Sequence, residues 1–180
     1  MDNKGQVLVE AIVAITIATV GLLGIFGLMN RSLSLNRQTG DQYVAANLAM
    51  EGVEVIKNMI DNNIIQGLPW NNGISDGIYE VMYNDAGLSR KILGADPVAD
   101  CNSAFILQDE NTDYLDFDPI TGIYGYGFSE QTRYKRGVCV RNLLGGNEIQ
   151  VNAIIVWTTR GQAVFDINLE DHFYNWRPEL

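Results

Sequence analysis

An α+β fold is predicted by three features of the chain. These are an apolar run of nineteen uncharged residues from Ala11 to Met29, an amphipathic helical pattern after it, and short alternating segments from about Asn62 onward. The apolar run is long enough for a membrane-spanning helix, placed at residues 6–30. Glu10 stands at its start, and only Met1 to Gly5 come before Gln6. A secretory signal peptide has a longer basic segment in front and a small-residue cleavage site behind its apolar stretch. Here polar helix follows the apolar stretch, and Gly5 lies before it. That order predicts a short leader, residues 1–5, and a helix that stays on the mature protein.

No proline occurs before Pro69, so the helix is expected to run on through residues 31–62. From Tyr43 it becomes amphipathic. Ala45, Ala49, Val53, Ile56 and Ile60 recur at three- and four-residue spacing with Leu48 and Met59 beside them, a stripe suited to covering a sheet. Glu51, Glu54, Lys57, Asn58 and Asp61 take much of the remaining surface. Lys57 reaches Asp61 at i,i+4 and Glu54 at i,i+3, pairs worth about 0.2–0.5 kcal/mol each. In the apolar half, Ala11, Ala14, Ala18 and Gly21 fall on one narrow face, where small side chains let helices approach closely in lipid. Gly21, Gly24, Gly27 and Gly40 are points where the helix could melt locally. Arg31 and Arg37 at the far end offset Lys4, so basic residues do not fix the orientation.

Residues 63–180 read as a β-rich globular domain. Asn62-Asn63, Gly67-Leu68-Pro69, Asn71-Asn72-Gly73 and Asp76-Gly77 carry turn chemistry. Strands are expected at residues 78–83, 104–108, 114–117, 123–128, 133–142, 148–159 and 162–169. Gly145-Gly146-Asn147 and Arg160-Gly161 read as hairpin turns that join the last three strands into an antiparallel meander. The run of valine and isoleucine between Ile149 and Trp157 marks its middle strand.

Composition narrows the function classes. The net charge of −10 argues against a general nucleic-acid binder, whose affinity comes largely from neutralising phosphates. Two cysteines, Cys101 and Cys139, without C-x-x-C spacing and with one histidine in the chain, do not form a zinc pattern. In an oxidising compartment they would pair as a disulfide; two buried thiols is the other reading. His172 has only its neighbour Asp171 as a local acid, which does not supply the geometry of a catalytic triad. No phosphate loop, dinucleotide fingerprint or zincin motif is present, and no enzymatic activity, cofactor or metal is expected. Asp109, Asn111 and Asp113, with Asp116 and Asp118 beyond, form an oxygen-rich run of the kind a hard cation uses. Tyr114 and Ile120 occupy the glycine and glutamate positions of an EF-hand, and a solvated acidic loop is the preferred reading. Arg133, Tyr134, Lys135, Arg136 and Arg141 make a basic–aromatic patch that could touch DNA phosphates. In a strand, however, alternate residues point to opposite faces, which favours a structural role.

The order Gly5-Gln6-Val7-Leu8-Val9-Glu10 followed by apolar helix resembles the type IV pilins and the pseudopilins of type II secretion. Their leader ends in glycine, cleavage follows it, and glutamate is the fifth mature residue, which Glu10 is when Gln6 is the first. Gln6 stands where the family has an apolar residue, and Asp2 offsets Lys4 in a leader that the family keeps basic. Val156-Trp157-Thr158-Thr159-Arg160-Gly161, the stretch Ala46 to Glu54 and the closing Asn175-Trp176-Arg177 are similar to PilV-type minor pilins. The resemblance implies a long helix packed on an antiparallel sheet, and cleavage after Gly5 by a prepilin peptidase that also methylates the Gln6 amine. It also implies that Glu10 pairs with such an amine on another pilin subunit. Inner-membrane assembly machinery would be the remaining partner, with the protein in the inner membrane before assembly and in an extracellular filament after it. Two alternatives stand beside the pilus subunit: a secretion pseudopilin, and a membrane-tethered or pilus-tip module for adhesion or DNA binding, motivated by the basic patch and by Phe173, Tyr174 and Trp176.

Overall fold

The computed structural model describes residues 4–82, 90–91, 101, 112–159 and 163–176. The expected strand at 104–108 and the Arg160-Gly161 turn lie outside them. The chain forms two compact units, Met1–Gln42 and Tyr43–Leu180.

In the first unit the described residues belong to helix α1, Lys4–Ile65, whose later part enters the second unit. Side chains from Gly5 to Arg37 are exposed, including Val7, Leu8, Ile15, Ile17, Leu23, Phe26 and Leu28. The hydroxyls of Thr16 and Thr19 donate to the carbonyls of Ile12 and Ile15, each at 2.7 Å. Both polar groups are therefore satisfied by the helix itself, as an apolar solvent requires. This helix is long and apolar enough to cross a membrane.

In the second unit, Ala45, Leu48, Ala49, Gly52, Val53, Val55, Ile56 and Ile60 of α1 are buried, with Met59 half-buried. The stripe read from sequence is thus the buried face, joined by Val55. The helix ends at Ile65, three residues beyond the expected end at 62. Leu68 N–H donates to the Asn63 carbonyl at 2.9 Å and Gly67 N–H to that of Ile64 at 3.2 Å. Gly67 adopts a φ of 70°, a Schellman closure that needs a residue without a Cβ. Asn62 and Asn63, expected in the turn, lie inside the helix. The buried Asn63 amide donates to the carbonyls of Trp70 (3.1 Å) and Asn72 (2.8 Å), folding the following loop back against the last helical turn.

The described residues form a seven-stranded sheet with antiparallel pairings. Its strands are β1 (Gly77–Glu80), β2 (Arg90–Lys91), β3 (Tyr114–Asp118), β4 (Ile123–Gly125), β5 (Glu130–Leu143), β6 (Glu148–Thr158) and β7 (Val164–Tyr174). β5 carries β6 along one edge and β3 and β1 in succession along the other. β5, β6 and β7 form the expected meander, turned at Leu144, Gly145 and Gly146, all with positive φ. β4 stops at Gly125, short of Phe128, because Asp116 captures the N–H groups of Gly127 (2.8 Å) and Phe128 (3.2 Å) and turns the chain out of the ladder. β7 runs past Leu169 to Tyr174, since β6 offers it pairing partners as far as Glu148.

The sheet has two faces. Toward α1 it presents Tyr79, Val81, Val138, Val140, Ile149, Val151, Ala153, Ile155 and Trp157, with Phe165, Ile167, Leu169 and Phe173 of β7 half-buried beside them. On the other face Ile78, Cys101, Cys139, Ile154 and Val156 form a second apolar cluster. Cys101 and Cys139 are joined by a disulfide, their Cα atoms 5.4 Å apart and 38 positions apart in sequence. Closing a loop of that length removes about 4 kcal/mol of unfolded-chain entropy in the chain-entropy account.

Two features seat α1 on the sheet. A Cβ added at Gly52 would lie 2.9 Å from Val138 Cγ2 and 3.3 Å from Ala153 Cβ, closer than van der Waals contact allows. Beside it Arg136 of β5 is fully buried. Its Nη1 donates to the Leu48 carbonyl (3.3 Å) and its Nη2 to that of Val81 (2.7 Å). Glu51 on α1 balances its charge from 3.2 Å, without hydrogen-bond alignment.

Gly52→Ala should therefore lower stability by about 1–3 kcal/mol through overpacking, against the roughly 1 kcal/mol that alanine gains in an open helix. Gly40→Ala, where an added Cβ meets nothing within 4 Å, is the control and should not destabilise. Arg136→Ala should cost on the order of 3 kcal/mol by leaving a cavity and removing the donor that meets the Val81 carbonyl, with part of that recovered in Arg136→Met. Denaturant unfolding of the full chain in detergent measures all four. A Gly52→Ala protein as stable as the parent would refute the close approach.

Candidate functional site

The residues expected to act in processing and assembly sit together near the start of α1. Gly5, Gln6 and Glu10 are all helical and exposed, and space is open around Gly5. Ala11, Ala14, Ala18 and Gly21 are exposed as well, so the small-residue face stays open within the unit Met1–Gln42. So much uncovered aliphatic surface suits an apolar surrounding. Glu10 is the one carboxylate in that apolar stretch, and an ionised carboxylate is costly in hydrocarbon.

Of the acidic run, Asp113, Asp116 and Asp118 lie among the described residues. Asp109 and Asn111 lie outside the described residues, and Asp113 is exposed. Asp116 is committed to the backbone of Gly127 and Phe128. Asp118 accepts the Thr121 hydroxyl (2.6 Å) and the Ile120 N–H (2.9 Å), which together hold its carboxyl below the usual carboxylate range. Among the described residues, no group of three or more metal-ligating side chains converges. These carboxylates shape turns.

The basic patch is dispersed in the same way. Arg133 is exposed, its guanidinium 5.7 Å from the centre of the Tyr134 ring. Lys135 is buried, donating to the Thr112 hydroxyl at 3.2 Å with its ammonium 4.7 Å from the centre of the Tyr114 ring. Arg136 belongs to the helix–sheet contact, and Arg141 bonds Gln150 across the β5–β6 ladder. No shared surface is left for phosphates.

A polar row that the sequence reading missed runs across the outer face of β6 and β7. Glu148, Gln150 and Asn152 of β6 lie opposite Tyr174, His172 and Glu170 of β7. His172 Nδ1 is 2.6 Å from Glu148 Oε1, and its Nε2 is 3.0 Å from Glu170 Oε1. Tyr174 donates its hydroxyl to Glu148 Oε1 (3.2 Å), and Asn152 donates to Glu170 Oε2 (2.8 Å). Hydrogen bonds from Asn152, His172 and Gln150 hold the Glu170 carboxyl down at about 2. The bonds to Glu170 and Glu148 raise the His172 imidazole above its ordinary value. Burial and the Glu148 charge raise the Tyr174 phenol. The spacing Glu170-x-His172-x-Tyr174 in an alternating strand signals a shared face; the approach of Glu148 depends on the β6–β7 register.

At the open end of β7, the rings of Trp70, Phe173, Tyr174 and Trp176 border a cleft of about 380 Å³ together with Lys57 and Asp61 of α1. Trp70 is anchored there through its indole N–H to the Gly146 carbonyl at 3.0 Å. Trp176 is 77% exposed. Phe173, Tyr174 and Trp176, expected as an aromatic tail, thus gather at one end of the sheet, while Arg177 lies outside the described residues.

No protein-family model, curated protein or solved structure matches this chain.

Proposed function

We propose that the chain is a structural subunit of a type IV pilus or a related filament, of the minor-pilin kind. In this reading it is cleaved after Gly5, methylated at the Gln6 amine and assembled through its N-terminal helix, and it performs no chemistry itself. One observation carries the reading: Gly5, Gln6 and Glu10 stand in the prepilin order at the head of an apolar helix whose side chains are uncovered. That surface suits lipid before assembly and neighbouring helices after it. The amphipathic continuation of α1 on an antiparallel sheet is in keeping with a pilin-like subunit. A secretion pseudopilin uses the same N-terminal device and is the alternative; the filament in which the chain is found separates the two. DNA binding is not adopted, because Lys135 and Arg136 are buried and Arg141 is bonded within the sheet.

Mass spectrometry of the membrane and filament fractions tests processing. Filament-borne protein should begin at Gln6 with a methylated amine, and an intact Met1 on all of it would sink the proposal. Glu10→Ala tests assembly. Glu10 is exposed and belongs to the unit Met1–Gln42, outside the buried core. The substitution should reduce incorporation into filaments while cleavage after Gly5 continues and the thermal unfolding of the globular unit is unchanged. A lowered melting temperature with degradation of the monomer would instead make Glu10 a folding residue.

A further inference from the structure

His172 is held between two carboxylates by both of its ring nitrogens, Nδ1 toward Glu148 at 2.6 Å and Nε2 toward Glu170 at 3.0 Å. An ionised carboxylate only accepts hydrogen bonds, and a neutral imidazole carries one N–H. Only the imidazolium can donate to both. A neutral ring, in either tautomer, turns a lone pair toward one of the two anions. The cross-strand register puts the three side chains on one face, with Tyr174 opposite Glu148 and Glu170 two positions before His172.

We infer that His172 is a proton-operated clip that fastens the end of β7 to β6, closed while the imidazole is protonated and open once it is neutral. The groups around it favour the protonated, closed form. From β6 it faces Glu148, with Gln150 alongside bonded to Arg141 of β5. From its own strand it faces Glu170 and Tyr174, whose hydroxyl shares Glu148 Oε1, and the Asp171 carboxylate accepts the His172 backbone N–H at 2.8 Å. Lys57 and Asp61 of α1 border the same cleft and carry opposite charges. Around the ring itself, the two carboxylates at hydrogen-bonding distance therefore dominate.

The sign follows from the raised imidazole. The contribution of the clip is fully present below the ordinary histidine value of 6.5 and is lost as pH rises through the folded-state value above it. At the acid end, Glu170 is held at about 2, so its contribution is fully present above the ordinary 4.5 and is lost as pH falls from there through about 2. Opening frees Glu148 and Tyr174 from the ring and loosens the strand end that carries Phe173 and leads to the exposed Trp176. The border of the aromatic cleft then becomes the part of the sheet that answers to pH. This inference rests on side-chain geometry in the globular unit and is independent of the filament reading.

The experiment uses the full chain in detergent micelles. His172 is the only histidine, so its imidazole resonances report the clip without ambiguity. Its titration midpoint should lie above 6.5, and Glu170→Gln and Glu148→Gln should each bring it down. Hydrogen exchange, corrected for the intrinsic pH dependence, should show protection of β7 near its end lost as pH rises through that midpoint. In His172→Gln, which still folds if β1–β5 retain their protection, β7 protection should no longer depend on pH over this range. A midpoint at or below 6.5, or the same pH-dependent loss of protection in His172→Gln, would overturn the proposal.

Discussion

The contact that the globular unit depends on is the seating of α1 at Gly52, where backbone without a side chain lets the helix rest against Val138 and Ala153. Ala45, Ala49, Val53, Ile56 and Ile60 are buried on the same face only if the helix comes this close. Arg136 fixes which turn of the helix lies there, because its guanidinium must meet the Leu48 carbonyl and the Glu51 carboxylate on one side and the Val81 carbonyl on the other. A buried guanidinium is costly, and hydrophobic replacement of buried ion pairs is often neutral or stabilising. What Arg136 contributes here is registry: a shift of the helix by one turn would carry the Glu51 carboxylate away from the buried guanidinium.

From that contact outward the sheet is organised by its two faces. One face is continuous with the helix core, and the other is divided. At the Cys139 end it carries a small apolar cluster tied by the disulfide, and along β6 and β7 it carries carboxylates, amides and His172. Asn168 joins the two parts by donating its amide to the Cys101 carbonyl at 3.3 Å. An outer face built from hydrogen-bonded polar side chains remains compatible with water, and the acidic groups on β7 discourage pairing of that edge with another strand. The same polarity brings His172 between two carboxylates, so a solubility device and a titratable one occupy the same positions.

Much of this fold is legible in the sequence, for identifiable reasons. The helix and its buried stripe follow from uninterrupted 3.6-residue periodicity, and the β5–β6–β7 meander from alternation and a Gly145-Gly146 turn. The end of α1 lies later than the turn propensity of Asn62 and Asn63 suggests, because Asn63 uses its side chain to hold the loop from within the helix. β4 is shorter than the alternation of Tyr124, Tyr126 and Phe128 suggests, because Asp116 bonds the backbone of Gly127 and Phe128 out of the ladder. The burial of Arg136 has no local signal: its neighbours Arg133 and Lys135 suggest a surface patch, and only the packing of Glu51 and Leu48 above it reveals the interior. Gly5, Gln6 and Glu10 are read from linear order alone, since as exposed helical residues they make no contact in the fold that would single them out.

The apolar half of α1 poses the complementary problem. In the globular unit aliphatic side chains are covered by the protein itself, but from Val7 to Leu35 they are exposed. Each such side chain in water forfeits on the order of 1.5–3 kcal/mol of transfer free energy, so a helix with this sequence is not at equilibrium in water alone. Lipid supplies one suitable solvent and the flanks of like helices another. The two differ little in apolar character, and exchange between them is therefore decided by packing and by the polar exceptions. The threonines are neutralised by their own helix, through Thr16 to Ile12 and Thr19 to Ile15. Glu10 cannot be satisfied that way, since a carboxylate needs donors or a cation that the aliphatic side chains around it lack. Among the groups of that stretch, it is the one whose free energy changes most between an interfacial, hydrated position and an apolar interior.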